Sequence, residues 1–242
     1  MLLLKNKKYV FIFILLLLCG LYAYKYINQN KGKNDLELAI QYYNQGNNFL
    51  KNNKNNEALE LYNKVLEIYP NSKYEKLYVN RGIVLNHLEK YQEAIDSYNI
   101  AIKLDNNCSL AYLNKGISLI KQNKNSEAIS NFNIAIELDP KNPYSYNNKG
   151  AALGNLKKYQ EAIDNYNKAI ELDPKFFEPY KNKYCPLYNL KRYKEAVETC
   201  DKAIELEPNR HDIQEIIDNR IKALNKLEEI SRDNKYGEPL VN

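Results

Sequence analysis

The stretch from Tyr146 to Pro174 recurs along this chain, and that recurrence limits what the chain can fold into more than any other feature. Moving 34 residues back from Tyr146, Gly150, Ala162, Tyr166, Ala169 and Pro174 gives Tyr112, Gly116, Ala128, Phe132, Ala135 and Pro140. Moving 34 residues on gives Tyr180, Ala196, Ala203 and Pro208. A period of this length signals a solenoid, in which one repeat cannot bury its own apolar face and stacked neighbours share a core. Aligned on the small residues, the chain divides into five units, 39–72, 75–108, 109–142, 143–176 and 177–210, with Lys73 and Tyr74 inserted after the first.

Within each unit two apolar patterns at helical spacing flank a polar turn such as Asn155 to Lys158, so each unit reads as a helix hairpin. Counted within the unit, the eighth position is Gly46, Gly82, Gly116 and Gly150. The twentieth is Ala58, Ala94, Ala128, Ala162 and Ala196, and the twenty-seventh is Ala101, Ala135, Ala169 and Ala203, with Val65 in the first unit. Small residues at these places are expected where the two helices approach most closely, and Tyr62, Tyr98, Phe132 and Tyr166 are expected to fill the space between hairpins. Glu57, Glu93, Glu127, Glu161 and Glu195 fall in the first turn of each second helix, where a carboxylate complements the helix dipole. Pro70, Pro140, Pro174 and Pro208 stop that helix, with Asn106 departing from the pattern. Pro143 and Pro179 stand near the next helix start, where a missing N–H is harmless.

The fifth unit breaks the rule twice. Tyr184 replaces the glycine and Cys200 replaces the aromatic, which suggests an exchange of size between the two positions. Pro186 falls inside its first helix and removes the bond to residue 182, which predicts a kink. Beyond it, 211–233 places Ile213, Ile216, Ile217, Ile221, Leu224, Leu227 and Ile230 at helical spacing under a polar face of mixed charge. That amphipathic helix suits the terminal cap a solenoid requires. Residues 234–242 read as a tail.

These coinciding positions resemble the tetratricopeptide repeat family over residues 39–210. The resemblance implies an all-α, right-handed α-solenoid of five helix hairpins plus the C-terminal capping helix. It further implies that the first helices line a groove into which positions 2, 5, 6, 9 and 12 point. The sixth position is asparagine in every unit: Asn44, Asn80, Asn114, Asn148 and Asn182. An amide both donates and accepts, so a ladder of them can hold an extended peptide by its backbone, as in some peptide-binding members. The alternative is that asparagine is simply common at this position. Tyr43, Val79 and Leu113 at the fifth position, with Ile83, Ile117 and Ala151 at the ninth, make an apolar half, and Asn147 and Lys181 a more polar one. The family's carboxylate clamp needs lysine where Tyr43, Val79 and Leu113 stand, so binding of chaperone tails is not expected.

The N-terminus carries a different signal. Residues 1–8 are basic, and Tyr9 to Tyr24 run without a charge. A helix over these residues spans about 24 Å, or about 28 Å to Ile27 with Lys25 snorkelling, just enough to cross a bilayer. Residues 9–27 therefore read as one transmembrane helix, flanked by Tyr9, Tyr22, Tyr24 and Tyr26 as an aromatic belt would flank it. Two alternatives stay open: a cleaved signal, for which the residues around Gly20 to Ala23 fit poorly, and lipidation at Cys19, where bulky Leu18 departs from the motif. Lys5, Lys7 and Lys8 favour a cytoplasmic N-terminus and hence an extracytoplasmic repeat domain, although Lys25, Lys31 and Lys33 on the other side weaken that bias. Residues 28–38 hold a linker and the start of the first helix, placed at Asn34 by the capping box it forms with Glu37.

Charge and chemistry narrow the function. Formal charge is +5, but residues 1–33 contribute six lysines and no acid, leaving 29 basic against 30 acidic residues. A neutral body without a basic run excludes nucleic acid as the partner. His87 and His211 belong to different elements, and no phosphate loop, paired-cysteine spacing or nucleophile elbow occurs. No enzyme activity, cofactor, metal or small-molecule substrate is expected. Cys108, Cys185 and Cys200 are odd in number, and the faces of Cys185 and Cys200 differ by about a hundred degrees, so free thiols are expected. The expected function is that of a membrane-anchored scaffold or assembly factor holding a protein or peptide in the groove. A secreted or lipid-anchored binding protein, or an accessory to an enzyme or carbohydrate-handling complex, is the alternative.

Overall fold

The computed structural model describes residues 31–236, whose regular structure is entirely α-helical. They fall into two compact bodies, meeting in sequence between Lys73 and Tyr74. The basic flank 1–8 and the apolar span 9–27 lie outside the described residues, as does the start of the linker. Among the described residues no helix is long and apolar enough to cross a membrane.

The first body holds α1 (residues 31–51) and α2 (Asn55–Ile68). Helix is already present at residues 31–33, which corrects the start expected at Asn34. No proline stands there to end a helix, so the Asn34–Glu37 pattern lies within α1 rather than capping it. Tyr62 is buried beneath α1 and donates from its hydroxyl to Asn47 Oδ1 at 2.8 Å.

The second body runs α3 (Glu75–His87), α4 (Tyr91–Leu104), α5 (Ser109–Lys121), α6 (Asn125–Leu138), α7 (Pro143–Asn155), α8 (Tyr159–Leu172), α9 (Phe177–Asn189), α10 (Tyr193–Leu206) and α11 (Ile213–Tyr236). Successive pairs are hairpins, and each second helix packs on the first helix of the next unit. The turn inside each hairpin is set by one backbone choice. Glu89, Asn123, Lys157 and Lys191 hold φ near +60°, as does Asn53 in the first body. The amide after each reaches back to close the first helix: Lys124 N to Leu119 O at 2.9 Å, Lys158 N to Leu153 O at 3.0 Å, Arg192 N to Leu187 O at 2.9 Å. These are Schellman closures, with a side-chain-bearing residue where glycine is the easier occupant.

Between units the chain turns on an aspartate. Asp105, Asp139 and Asp173 accept from the backbone amides of Asn107, Lys141 and Lys175 at 3.0, 3.3 and 3.0 Å. The next helix then starts without delay, with Asn142 capping α7 and Pro143 in its first turn. Tyr146 and Tyr180 pin two of these turns by donating to the carbonyls of Pro140 and Pro174 at 3.3 and 3.1 Å. The loop that carries Asn106 instead of proline keeps the same aspartate turn.

The eighth-position glycines are explained by a ring, not by helix backbones alone. A β-carbon on Gly116 would lie 2.5 Å from the Phe132 ring, on Gly150 2.7 Å from Tyr166, and on Gly46 2.8 Å from Tyr62. Gly82 meets Tyr98 in the same way. The aromatic sixteen residues on in the same hairpin therefore rests on the glycine, rather than filling only the space between hairpins. In the fifth unit Tyr184 and Cys200 are both buried in one cluster with Leu187, Ala196, Ala203 and Ile216. One ring serves this unit too, carried by the opposite helix. Burial pushes the Tyr184 hydroxyl and the Cys200 thiol each up to about 12. The α9 helix continues past buried Pro186 to Asn189, so the proline does not end it.

The α11 helix packs on α10 and touches α9, in the place of the first helix of a sixth unit. Ile216 and Ala223 are buried there, whereas Ile221 and Ile230 stay exposed. It runs to Tyr236, three residues past the expected end at Asp233. Its entry is held by charge. Lys181 Nζ lies 2.6 Å from Asp212 Oδ2 and 3.2 Å from Glu215 Oε2, while Arg210 reaches Glu178 at 3.3 Å and stacks 4.1 Å above the Phe177 ring. The Lys181 ammonium beside it holds the Asp212 carboxyl below the usual carboxylate range.

Candidate functional site

In the second body the first helices touch one another in series, α3 to α5, α5 to α7 and α7 to α9, whereas α4, α6, α8 and α10 do not touch each other. The first helices therefore form the inner wall. On α3, α5 and α7 the eighth position faces the hairpin's own ring, and positions 2, 6, 9 and 13 of the first helices lie about 100–160° round from the eighth. Their side chains are exposed or half-buried on every one of these helices.

Of the expected groove residues, Asn80, Asn114, Asn148, Asn182, Ile83, Ile117 and Ala151 fall on this stripe and keep accessible surface. The fifth-position residues do not. Val79, Leu113 and Asn147 are 2%, 5% and 6% exposed, closed off within the core. Position 5 lies about a hundred degrees round from position 6, on the flank that meets a neighbouring first helix. Lys181, one unit further on, is engaged with Asp212 and Glu215 of the α11 entry. Tyr43 and Asn44 belong to the first body, where Asn44 is exposed and the Tyr43 ring lies 6.0 Å from that of Tyr62.

Two prominent residues of the stripe were not singled out by sequence reasoning. Leu110 and Tyr144, at position 2, are 46% and 55% exposed. Their signal was position 2 itself, which the resemblance turns toward the groove, one turn before Asn114 and Asn148 on the same face. The Tyr144 ring is braced 4.7 Å from the buried Phe176. Along α3, α5 and α7 the ionisable groups of the stripe are Lys76, His87 and Lys121, with no carboxylate among them.

The asparagine amides are oriented by their own helices. Asn114 Nδ2 donates to Leu110 O at 2.9 Å and Asn148 Nδ2 to Tyr144 O at 2.8 Å. A carbonyl can only accept, so nitrogen must face the helix and Oδ1 is turned away from it. Asn182 Nδ2 instead donates to Asn147 Oδ1 at 3.1 Å, which satisfies the buried Asn147. At the stripe's edge the buried Ser118 Oγ donates to Asn86 Oδ1 at 2.7 Å, and Asn86 Nδ2 donates to the Tyr98 hydroxyl at 3.1 Å. Cys185 is exposed on the stripe and Cys200 is buried behind it; both are free thiols, as is Cys108. Among the described residues no group of three or more acidic, histidine or cysteine side chains could hold a metal ion.

Models of the tetratricopeptide repeat match residues 37–72, 75–108, 143–176 and 187–210, and a further TPR repeat model matches 116–157. No curated protein sequence matches the chain. Among solved structures, MamA from residue 41 to its end, from Desulfovibrio magneticus RS-1, is 23% identical with a TM-score of 0.63, covering 72% of this chain and 97% of its own. YrrB, described as a TPR protein with an unusual peptide-binding site, is 26% identical with a TM-score of 0.58, covering 78% and 93%. The pilF protein of Pseudomonas aeruginosa is 19% identical with a TM-score of 0.64, covering 86% and 96%.

Proposed function

Because the chain belongs to the tetratricopeptide repeat family, we propose that its repeats are a non-catalytic protein-interaction scaffold holding a peptide segment of a partner along the inner stripe. The observation that carries this reading is the exposure of Leu110 and Tyr144, 46% and 55%, on the inner wall. Large apolar side chains left out of a core, beside oriented amides, are what a protein surface offers to a peptide. The peptide-binding site named for YrrB supports the same use of this fold.

The test is a partner-capture experiment with a photocrosslinker at Leu110 or Ile117, followed by identification of the attached protein. Changing Asn80, Asn114 and Asn148 together to Ala should weaken that capture while helical content stays near wild type. Equal capture by the triple variant removes the asparagines from the site. Equal capture by Leu110→Glu with Tyr144→Glu removes the stripe altogether.

The scaffold acts, in this reading, from a membrane, with residues 9–27 as its anchor and the repeats on the extracytoplasmic side. The uncharged run from Tyr9 to Tyr24 supports the anchor. Carbonate extraction is the check: the full-length chain should stay with the membrane pellet. A released form shortened by its first two dozen residues would make the segment a cleaved signal.

A further inference from the structure

We propose that α1 makes a second contact with the membrane, its face bearing Leu36 and Ile40 lying among the headgroups of the bilayer in which residues 9–27 are anchored. The inference rests on the anchor reading above and adds that the first body is seated on that surface. The first helices of the later units begin at the first position of each unit, at Glu75, Ser109, Pro143 and Phe177, and each is 13 residues long. The first unit begins at Ala39, yet α1 is already helical at residue 31, so residues 31–38 have no counterpart in the later hairpins. Ala39, 5% exposed, and Gly46, against the Tyr62 ring, mark the side of α1 that the hairpin buries. Leu36 and Ile40, four residues apart, share a stripe about 90° round from that side, and both are 51% exposed. Lys33, three residues before Leu36, is exposed on the same stripe. The Tyr69 hydroxyl, just beyond α2, donates to the Gly32 carbonyl at 3.4 Å, so the start of α1 is tied to its hairpin.

Area and reach select the occupant of this stripe. A stable interface between two proteins buries about 800 Å² on each side, and two half-exposed aliphatic side chains supply only a small part of that. A bilayer that already holds the chain needs far less, because a tether turns the second contact into an intramolecular one at high effective concentration. The tether is short. Leu36 is the ninth residue after Ile27, and nine residues reach at most about 30 Å in any conformation. An interfacial helix seats its apolar face about 5–10 Å into the boundary between headgroups and acyl chains, and Lys33 can lay its stem along that face with its ammonium among the phosphates. Lys31 and Lys33 are balanced by Asp35 and Glu37, so apolar area drives the contact and anionic lipid is not required.

The chain contains no tryptophan, so a single introduced indole reports without background. The experiment places it by Leu36→Trp, Ile40→Trp or Leu38→Trp in the full chain, reconstituted in phosphatidylcholine vesicles with or without bromine high on the acyl chains. Leu38, 38% exposed, stands on the opposite side of α1 and is the control. Leu36→Trp and Ile40→Trp should shift to shorter wavelength and lose about half of their emission to the bromine, a depth that an interfacial face reaches, whereas Leu38→Trp should lose little. Circular dichroism should show unchanged helix, and added phosphatidylglycerol should leave the quenching as it is. Absent quenching at 36 and 40, or equal quenching at all three positions, in chains that carbonate leaves with the vesicles overturns the inference while the anchor stands. Quenching that appears only with phosphatidylglycerol overturns it as well. A wavelength shift that grows with protein density, without quenching, assigns the stripe to a second copy and overturns the bilayer contact. Release of the chain by carbonate overturns the anchor and this inference together.

Discussion

The fourth and fifth units are built on the same turns and the same alanines, yet they fill their centres in opposite ways. In the fourth, Gly150 on the first helix makes room for the Tyr166 ring on the second. In the fifth, the first helix carries the ring, Tyr184, and the second carries the small Cys200. The two faces turned inward differ as well. In the fourth unit Asn148 is bonded to the Tyr144 carbonyl one turn back, and the Tyr144 ring, braced on Phe176, remains open. In the fifth, Glu178 is tied to Arg210, Lys181 to Asp212, and Asn182 to Asn147. The hairpin needs one ring from either helix, and a unit next to the cap uses its inner face for the cap. Within the second body, positions 2 and 6 of the stripe are therefore open in the second to fourth units and engaged in the fifth.

The sharpest way to break the comparison is Tyr184→Gly. Emptying a buried ring site should cost about 3–5 kcal/mol, with about a further 1 kcal/mol for glycine within a helix. Adding Cys200→Tyr should recover most of that loss in chemical denaturation, and a double variant as unstable as the single one would show that the two positions do not share a space. The reverse intrusion comes next. Gly116→Ala pushes a β-carbon to 2.5 Å from the Phe132 ring and should cost about 1–3 kcal/mol by the same measurement.

Smaller effects sharpen the picture. The Tyr184 hydroxyl is buried without a hydrogen-bond partner, so Tyr184→Phe should stabilise by about 1 kcal/mol in thermal melts. Phe132 already shows that the ring suffices without its hydroxyl. The turns are common to both units, so Lys157→Gly and Lys191→Gly should each stabilise by about 1 kcal/mol, and by equal amounts. The smallest effect is electrostatic. Asp212 has its carboxyl pKa depressed by Lys181, so its contribution is present at neutral pH and is lost as pH falls through the folded-state pKa. Urea titrations of wild type and Asp212→Asn should differ slightly at neutral pH, with the difference starting to shrink only as pH falls below about 4 and vanishing below the depressed folded-state pKa.

Most of the hairpin architecture was legible in the repeat, because glycine, alanine and the ring are packing requirements that recur wherever the packing recurs. The exchange at Tyr184 and Cys200 could be read the same way, since a departure at two coupled positions keeps the sum of volumes. The candidate site was legible only in part. Asn114, Asn148, Ile83 and Ile117 were found on the inner wall as expected, but Val79, Leu113 and Asn147 were not. One residue step is about a hundred degrees, which moves a side chain from the open face to the flank against a neighbouring helix. Sequence spacing marks the face but not how closely the neighbour approaches. Leu110 and Tyr144 stand at position 2, which the family resemblance turns toward the groove, but how much of each side chain stays exposed depends on the neighbouring elements. The amide orientation was out of reach altogether, because it depends on which carbonyl each side chain meets.

The sequence by itself determined the period, the hairpin, the turn positions and the need for one ring per unit, because each of these follows from local spacing and side-chain volume. Only the tertiary structure decided which flank of each first helix is closed by its neighbour. It also decided which asparagines turn their oxygen outward, and that the fifth unit's inner face is drawn into the cap. The closed flanks, the engagement of the fifth unit and the turn of Asn182 depend on contacts between residues 30 or more apart, whose distances no pattern along the chain encodes, while Asn114 and Asn148 each meet a carbonyl four residues back.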